Sequence, residues 1–177
     1  AGNGATMRGY LAQPTGTGPF PAVLVVHENR GLNPHIEDIA RRLALEGFLA
    51  FAPDALFPLG GYPGDEDKGR DMFAKQDVKK RIEDLAQGAA VLKARPELSG
   101  KWGTVGFCFG GGIVNLFATR FVDMASGVAY YGVQAPAASV PSLPCARMRR
   151  VEARLSASRS MVEIRSTVGN DENSSGA

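Results

Sequence analysis

Histidine is scarce in this chain: His27 and His35 are the only two in 177 residues, so no imidazole base is available after position 35. Cysteine is equally scarce. Cys108 and Cys145 alone exclude a disulfide framework and leave a free thiol for chemistry. Neither sign of charge dominates. Twenty Lys and Arg against eighteen Asp and Glu leave +2, too little and too scattered for the electrostatic footprint of a nucleic-acid binder. Long hydrophobic runs are missing too. Ala22–Val26 and Phe48–Ala52 fall far short of the ~20 apolar residues that cross a bilayer, so no membrane span is expected. No charged-then-apolar leader opens the chain, which suits a cytoplasmic protein or a secreted or periplasmic one after leader removal. What is present, 44% hydrophobic with 21% charged residues, is the balance of one globular unit with a real core.

The apolar residues are arranged as alternating strands and helices. Pro21–Val26 is a short β-branched run bounded by Pro and by polar His27-Glu28-Asn29, the pattern of a buried strand. Asn33-Pro34 is a cap-then-proline helix start, with Ile36, Ile39, Ala40, Leu43 and Ala44 at helical spacing and Gly47 as the stop. Phe48–Ala52 is a second strand, which completes a βαβ unit. Residues 56–70 carry turn formers and charge without periodicity, hence a long surface loop. Residues 71–94 are helical, with Val78, Ile82, Leu85, Ala89 and Leu92 as the apolar stripe. Trp102–Gly106 is strand three, Gly110–Phe121 a helix and Ala125–Tyr131 strand four. Repeated βα alternation implies a mostly parallel sheet flanked by helices on both faces.

Near Leu143 the composition changes. Residues 146–177 hold six Arg and six Ser and no aromatic, Lys or His, as a reading-frame change or a fusion would produce. Two parts are therefore expected: an incomplete α/β domain over 1–145 and an atypical Arg/Ser-rich tail over 146–177. In the tail, Met148, Val151, Leu155 and Val162 fit one side of an Arg-rich helix, and the residues from Gly169 onward have a disordered composition.

The segment that carries chemistry is Val105-Gly-Phe-Cys-Phe-Gly-Gly-Gly112, where strand three hands over to a helix. Gly106, Cys108 and Gly110 form a G-x-C-x-G pattern. A nucleophile elbow strains its central residue, and small residues two positions either side let the neighbouring backbone pass. The turn aims the nucleophile at the first turn of the helix, where free N–H groups and the dipole favour a thiolate and an oxyanion. A buried structural cysteine is the competing reading. The glycines match neither G-x-G-x-x-G nor a P-loop, so no phosphate cradle, cofactor or metal site is expected.

Over roughly residues 7–145 the chain resembles the dienelactone hydrolase family, the cysteine-nucleophile branch of the α/β-hydrolase fold. The likeness rests on Val25-Val-His-Glu-Asn-Arg-Gly-Leu32, Ile36-Glu-Asp-Ile-Ala-Arg-Arg-Leu43, Gly47-Phe-Leu-Ala-Phe-Ala-Pro-Asp54, Gly106-Phe-Cys-Phe-Gly-Gly111 and Tyr130-Tyr-Gly132. It implies an α/β-hydrolase fold lacking its last strands, and an ester or lactone hydrolase working on small molecules through an acyl-enzyme. Cys108 matches the nucleophile, and Glu28 a carboxylate that contacts the thiol in the resting enzyme. The backbone N–H groups of Asn29 and Phe109 match the oxyanion hole.

The family's remaining triad members, an Asp after a later strand and a His after the last one, have no counterparts. Asp123 closes the helix behind the elbow, Asp171 and Glu163 lie in the tail, His27 reads as a packed strand-end residue and His35 as exposed. The Arg that binds a substrate carboxylate in the family is also missing; Leu56-Phe57-Pro58 stands there. General acid–base groups typically contribute 10²–10⁴-fold, so only residual esterase activity is expected. The alternative is a non-catalytic truncated α/β domain that self-associates through an exposed sheet edge.

Overall fold

The computed structural model describes residues 6–134 and 157–165. Six strands form one sheet in the order β5-β4-β2-β3-β1-β6: β1 Thr6–Pro14, β2 Phe20–Val26, β3 Leu49–Pro53, β4 Leu98–Phe107, β5 Ser126–Tyr130 and β6 Ala157–Arg165. Strands β2 to β5 are mutually parallel, and β1 pairs antiparallel with β3 and with β6. The strands anticipated at 21–26, 48–52, 102–106 and 125–131 are β2, β3, β4 and β5. Strand β1 adds one that no apolar run announces, because Arg8 and Gly9 interrupt it.

Helix α1 (Pro34–Leu45) begins as expected, with the Asn33 side chain accepting from the Ile36 N–H at 3.1 Å and proline in the first turn. It buries Ile36, Ala40 and Ala44 against Val25, Ala50 and Ala52 on one face of the sheet. The other face, carrying Leu24, Phe51 and Trp102, is covered by α3 (Val78–Lys93) and α4 (Phe109–Arg120) through Leu85, Ala89, Leu92, Ile113 and Phe117.

Two expectations change. The loop expected over 56–70 ends early, because Asp65 caps a new helix, α2 (Glu66–Ala74), accepting from the Lys68 N–H at 2.8 Å. A break at Lys75–Asp77 separates it from α3, so residues 71–94 form parts of two helices. Asp77 caps the second by accepting from the Lys80 N–H. Of the positions expected on one side of a helix, Met148, Val151 and Leu155 lie outside the described residues, and Val162 sits on β6, a strand rather than a helix. An antiparallel edge strand needs no continuous apolar run of the kind a doubly covered parallel strand demands. Gly169 and the residues after it lie outside the described residues. Among the described residues, nothing pairs with the outer side of β5, and no helix is long and apolar enough to cross a membrane.

Candidate active site

Strand β4 ends at Phe107 and α4 starts at Phe109, so Cys108 alone makes the turn. Its backbone lies at φ 54, ψ −113, a region an L-residue occupies only when its surroundings impose it. Here they do. A Cβ at Gly106 would stand 2.2 Å from the Gly110 carbonyl oxygen, and one at Gly110 would stand 2.1 Å from the Val26 carbonyl oxygen. The chain thus crosses itself at backbone distance on both sides of Cys108, as the G-x-C-x-G pattern requires. The Cys108 N–H donates to the Tyr130 carbonyl at 3.0 Å, and the thiol is free and exposed. As the first residue of α4, Phe109 has a backbone N–H with no intrahelical acceptor.

Strands β2 and β4 are parallel neighbours with Val26 opposite Gly106, so Glu28 and Cys108 leave the sheet side by side, each two residues past that pair. The Glu28 carboxylate accepts a hydrogen bond from the Tyr131 hydroxyl at 2.8 Å. That bond, with some loss of water contact and the Glu28 charge, raises the Tyr131 phenol above its ordinary value of 10. His27 faces the other way and is fully buried. The Ala55 N–H donates to its Nε2 at 3.1 Å and its Nδ1 meets the Glu28 backbone carbonyl, partners that assign a neutral imidazole protonated on Nδ1. Burial holds its pKa below 6.5 despite the nearby Asp54 and Glu28 carboxylates. With both ring nitrogens occupied, His27 is structural.

Cys108 opens into a cleft of about 740 Å³ whose lining, mostly apolar, includes Asn29, Phe73, Val78, Phe109, Leu116 and Tyr131. Val78, anticipated on the core-facing stripe, is instead exposed cleft wall at the N-terminal end of α3, while Ile82 packs against the core and also lines the cleft. Beneath Phe73 and Phe109 lies Arg81, its guanidinium 3.6 Å and 4.7 Å from the two ring centroids. It donates to the Phe73 carbonyl at 2.7 Å and is buried, which lowers its pKa. Nothing in the spacing of α3 marks this arginine out from the surface lysines beside it.

Comparison with known proteins places these features. The model of the "Dienelactone hydrolase family" matches residues 7–162. The chain belongs to the dienelactone hydrolase family. It is 35% identical over 133 residues to a Yersinia pestis protein named "Putative carboxymethylenebutenolidase", covering 73% of this chain and 50% of that one. It is 58% identical over 72 residues to the Escherichia coli "Putative hydrolase fragment YghX", covering 40% of this chain and 62% of that one. The crystal structure described as a putative dienelactone hydrolase from Klebsiella pneumoniae superposes with a TM-score of 0.62 at 34% identity, over 71% of this chain and 54% of that one. The fold is therefore the α/β-hydrolase fold, and the chain spans about half the length of several curated relatives.

Within this dienelactone hydrolase framework, the residues outside the elbow have other occupations. Asp123 accepts from the Trp102 indole N–H at 3.1 Å and pairs with Lys93, which holds its carboxyl below the usual range. It braces the far end of α4. His35 is exposed and stands edge-on to Phe107, 6.3 Å between ring centroids. Glu163 sits on β6 opposite Arg8, four strands from β4, or roughly 19 Å at the usual strand spacing. Asp171 and Cys145 lie outside the described residues. Sequence reasoning missed Tyr131 as a partner of Glu28. The Tyr130-Tyr131-Gly132 motif was its only signal.

Proposed function

We propose that this chain carries a thiol-dependent ester or lactone hydrolase site of dienelactone hydrolase type. The observation that carries the reading is the elbow: an exposed cysteine in a strained backbone conformation, held by two glycines that have no room for a Cβ. Cys108 is the nucleophile. Its sulfur attacks the ester carbonyl, the tetrahedral oxyanion is held by the N–H groups of Asn29 and Phe109, and collapse expels the alcohol to leave a thioester. Water then releases the acid. Glu28 is the carboxylate partner of the thiol, and the apolar cleft suits a small uncharged acyl or lactone group. The lack of any histidine after His35 leaves this site slow, because the imidazole's share of general acid–base catalysis is missing.

Turnover of p-nitrophenyl acetate by the chain and by Cys108→Ser tests the reading. A slow, thiol-dependent rate that vanishes in the variant is expected, and equal rates overturn it. Iodoacetamide should label Cys108 ahead of Cys145 in the folded protein. A second reading, a non-catalytic domain that self-associates, draws on the outer side of β5, unpaired among the described residues, and on exposed Tyr130 and Val133 beside it. Light scattering across a concentration series tests it: a monomer at all concentrations ends that reading.

A further inference from the structure

Tyr131 has two properties that its place in a strand-end loop does not call for. It is, besides Cys108, the only non-glycine among the described residues with positive φ, at 40°. It also reaches back across the sheet to the Glu28 carboxylate. The strain is held from both sides. Before it, the Tyr130 carbonyl accepts from the Cys108 N–H at 3.0 Å. After it, Gly132 lies so close to α4 that a Cβ there would meet the Gly111 carbonyl carbon at 2.2 Å, and the Asn115 side chain donates to the Val133 carbonyl at 2.9 Å. The elbow and the Tyr131 turn therefore brace each other, and their side chains line the same cleft. Strained residues persist where the surrounding structure over-determines them, and such sites are often functional.

We propose that Tyr131 is the proton donor to the leaving alcohol, taking the part an imidazole would play, with Glu28 returning the proton to it. The inference rests on Cys108 being the nucleophile. The proton account closes without histidine. The thiol proton passes to the Glu28 carboxylate as sulfur bonds to the carbonyl carbon and the C=O electron pair moves to oxygen. When that pair returns, the C–O bond to the alcohol breaks. The leaving oxygen takes the Tyr131 hydroxyl proton, and the phenolate recovers one from the Glu28 carboxylic acid. The products are a thioester, a neutral alcohol, a neutral tyrosine and an ionised Glu28, as at the start. Its raised pKa keeps the hydroxyl protonated throughout the neutral range, as a donor must be.

The test is single-turnover acylation, followed by intact-protein mass, with acetate esters whose leaving groups run from p-nitrophenol through phenol to a simple alcohol. A good leaving group departs without a proton and a poor one does not. Tyr131→Phe should acylate with p-nitrophenyl acetate within about threefold of the unaltered chain, and lose ~10²-fold or more with the alkyl ester. Glu28→Gln, which removes the acceptor of the thiol proton as well as the group that reprotonates the tyrosine, should slow acylation across the whole series, and most with the alkyl ester. A Tyr131→Phe loss that is uniform across the series is what a merely structural tyrosine would give, and it overturns the proposal, as does no loss at all. Failure of the underlying reading is seen separately, as acylation that survives in Cys108→Ala.

Discussion

A methyl group added at Gly110 would sit 2.1 Å from the Val26 carbonyl oxygen and 2.8 Å from that of His27. Both obstacles are backbone, so no rotamer change relieves them. Gly110→Ala should therefore destabilise the fold by about 3 kcal/mol, as severe core or backbone clashes do. Gly112, one residue past Gly111 on the same helix, has its nearest neighbour at 3.6 Å, an ordinary contact. Gly112→Ala should be neutral or stabilising by roughly 0.5–1 kcal/mol, the helical preference of alanine over glycine. Urea midpoints of the two variants check the contrast. Equal effects would mean that the elbow is not sterically closed. His27 makes a second prediction at this scale. Its pKa in the folded protein lies below the 6.5 of the unfolded chain. As pH drops below about 6.5 the unfolded state takes up a proton that the folded state refuses, and stability is lost. Asp38 and Glu97 run the same way, at lower pH. Arginine partners hold them below ordinary values of 3.8 and 4.5, so their contribution disappears only at more acidic pH. Unfolding midpoints between about pH 7 and pH 5 should fall for the unaltered protein and stay flatter for His27→Gln.

Strand β6 covers the outer edge of β1 along the whole of β1, from Thr6 opposite Arg165 to Pro14 opposite Ala157. A backbone ladder contributes about 0.5–1.5 kcal/mol net per hydrogen bond, while ordering each residue costs about 1–2 kcal/mol, so the two nearly cancel. Deleting 150–177 should accordingly move the unfolding midpoint little, yet it bares a strand edge that another chain can pair with. Differential scanning calorimetry beside light scattering checks both halves: a small change in Tm with increased association is expected, and a large fall in Tm without association refutes it. The same strand shows where elements were legible. Strands β2 and β3 were readable because their two covered faces demand an unbroken apolar run, whereas β1 and β6, antiparallel and nearer the edge, do not. The first turn of α2 looks like loop because Asp65, Glu66, Asp67 and Lys68 are all polar. They are the residues that begin a helix, but the apolar repeat that follows is too short to betray it. In the site, Cys108 and its glycines were legible because a backbone crossing forces their spacing. The Tyr131 hydrogen bond was not, since 103 residues separate it from Glu28 and only the sheet order brings them together.

Across the whole molecule, the described residues place the proposed nucleophile, carboxylate and oxyanion donors at the carboxyl ends of neighbouring parallel strands, where open α/β sheets bind ligands. On that side the described sheet ends at β5, and the Yersinia pestis relative is matched over only 50% of its length. The strands up to β5 carry the elbow, so on the proposed reading what this chain needs is a base held near Cys108. A chimera joining residues 1–134 to the part of that relative beyond the matched region tests this at the scale it concerns. If the relative supplies the family's Asp and His there, p-nitrophenyl acetate hydrolysis should rise by about 10²-fold or more, the usual contribution of general acid–base catalysis. The gain should vanish on Cys108→Ser, because the base can act only through the thiol. It should also appear in kcat more than in KM, since the apolar cleft that binds the acyl group is unchanged. A chimera that folds, judged by a cooperative thermal transition, and hydrolyses no faster than the parent would show that residues before 134 have lost more than a base.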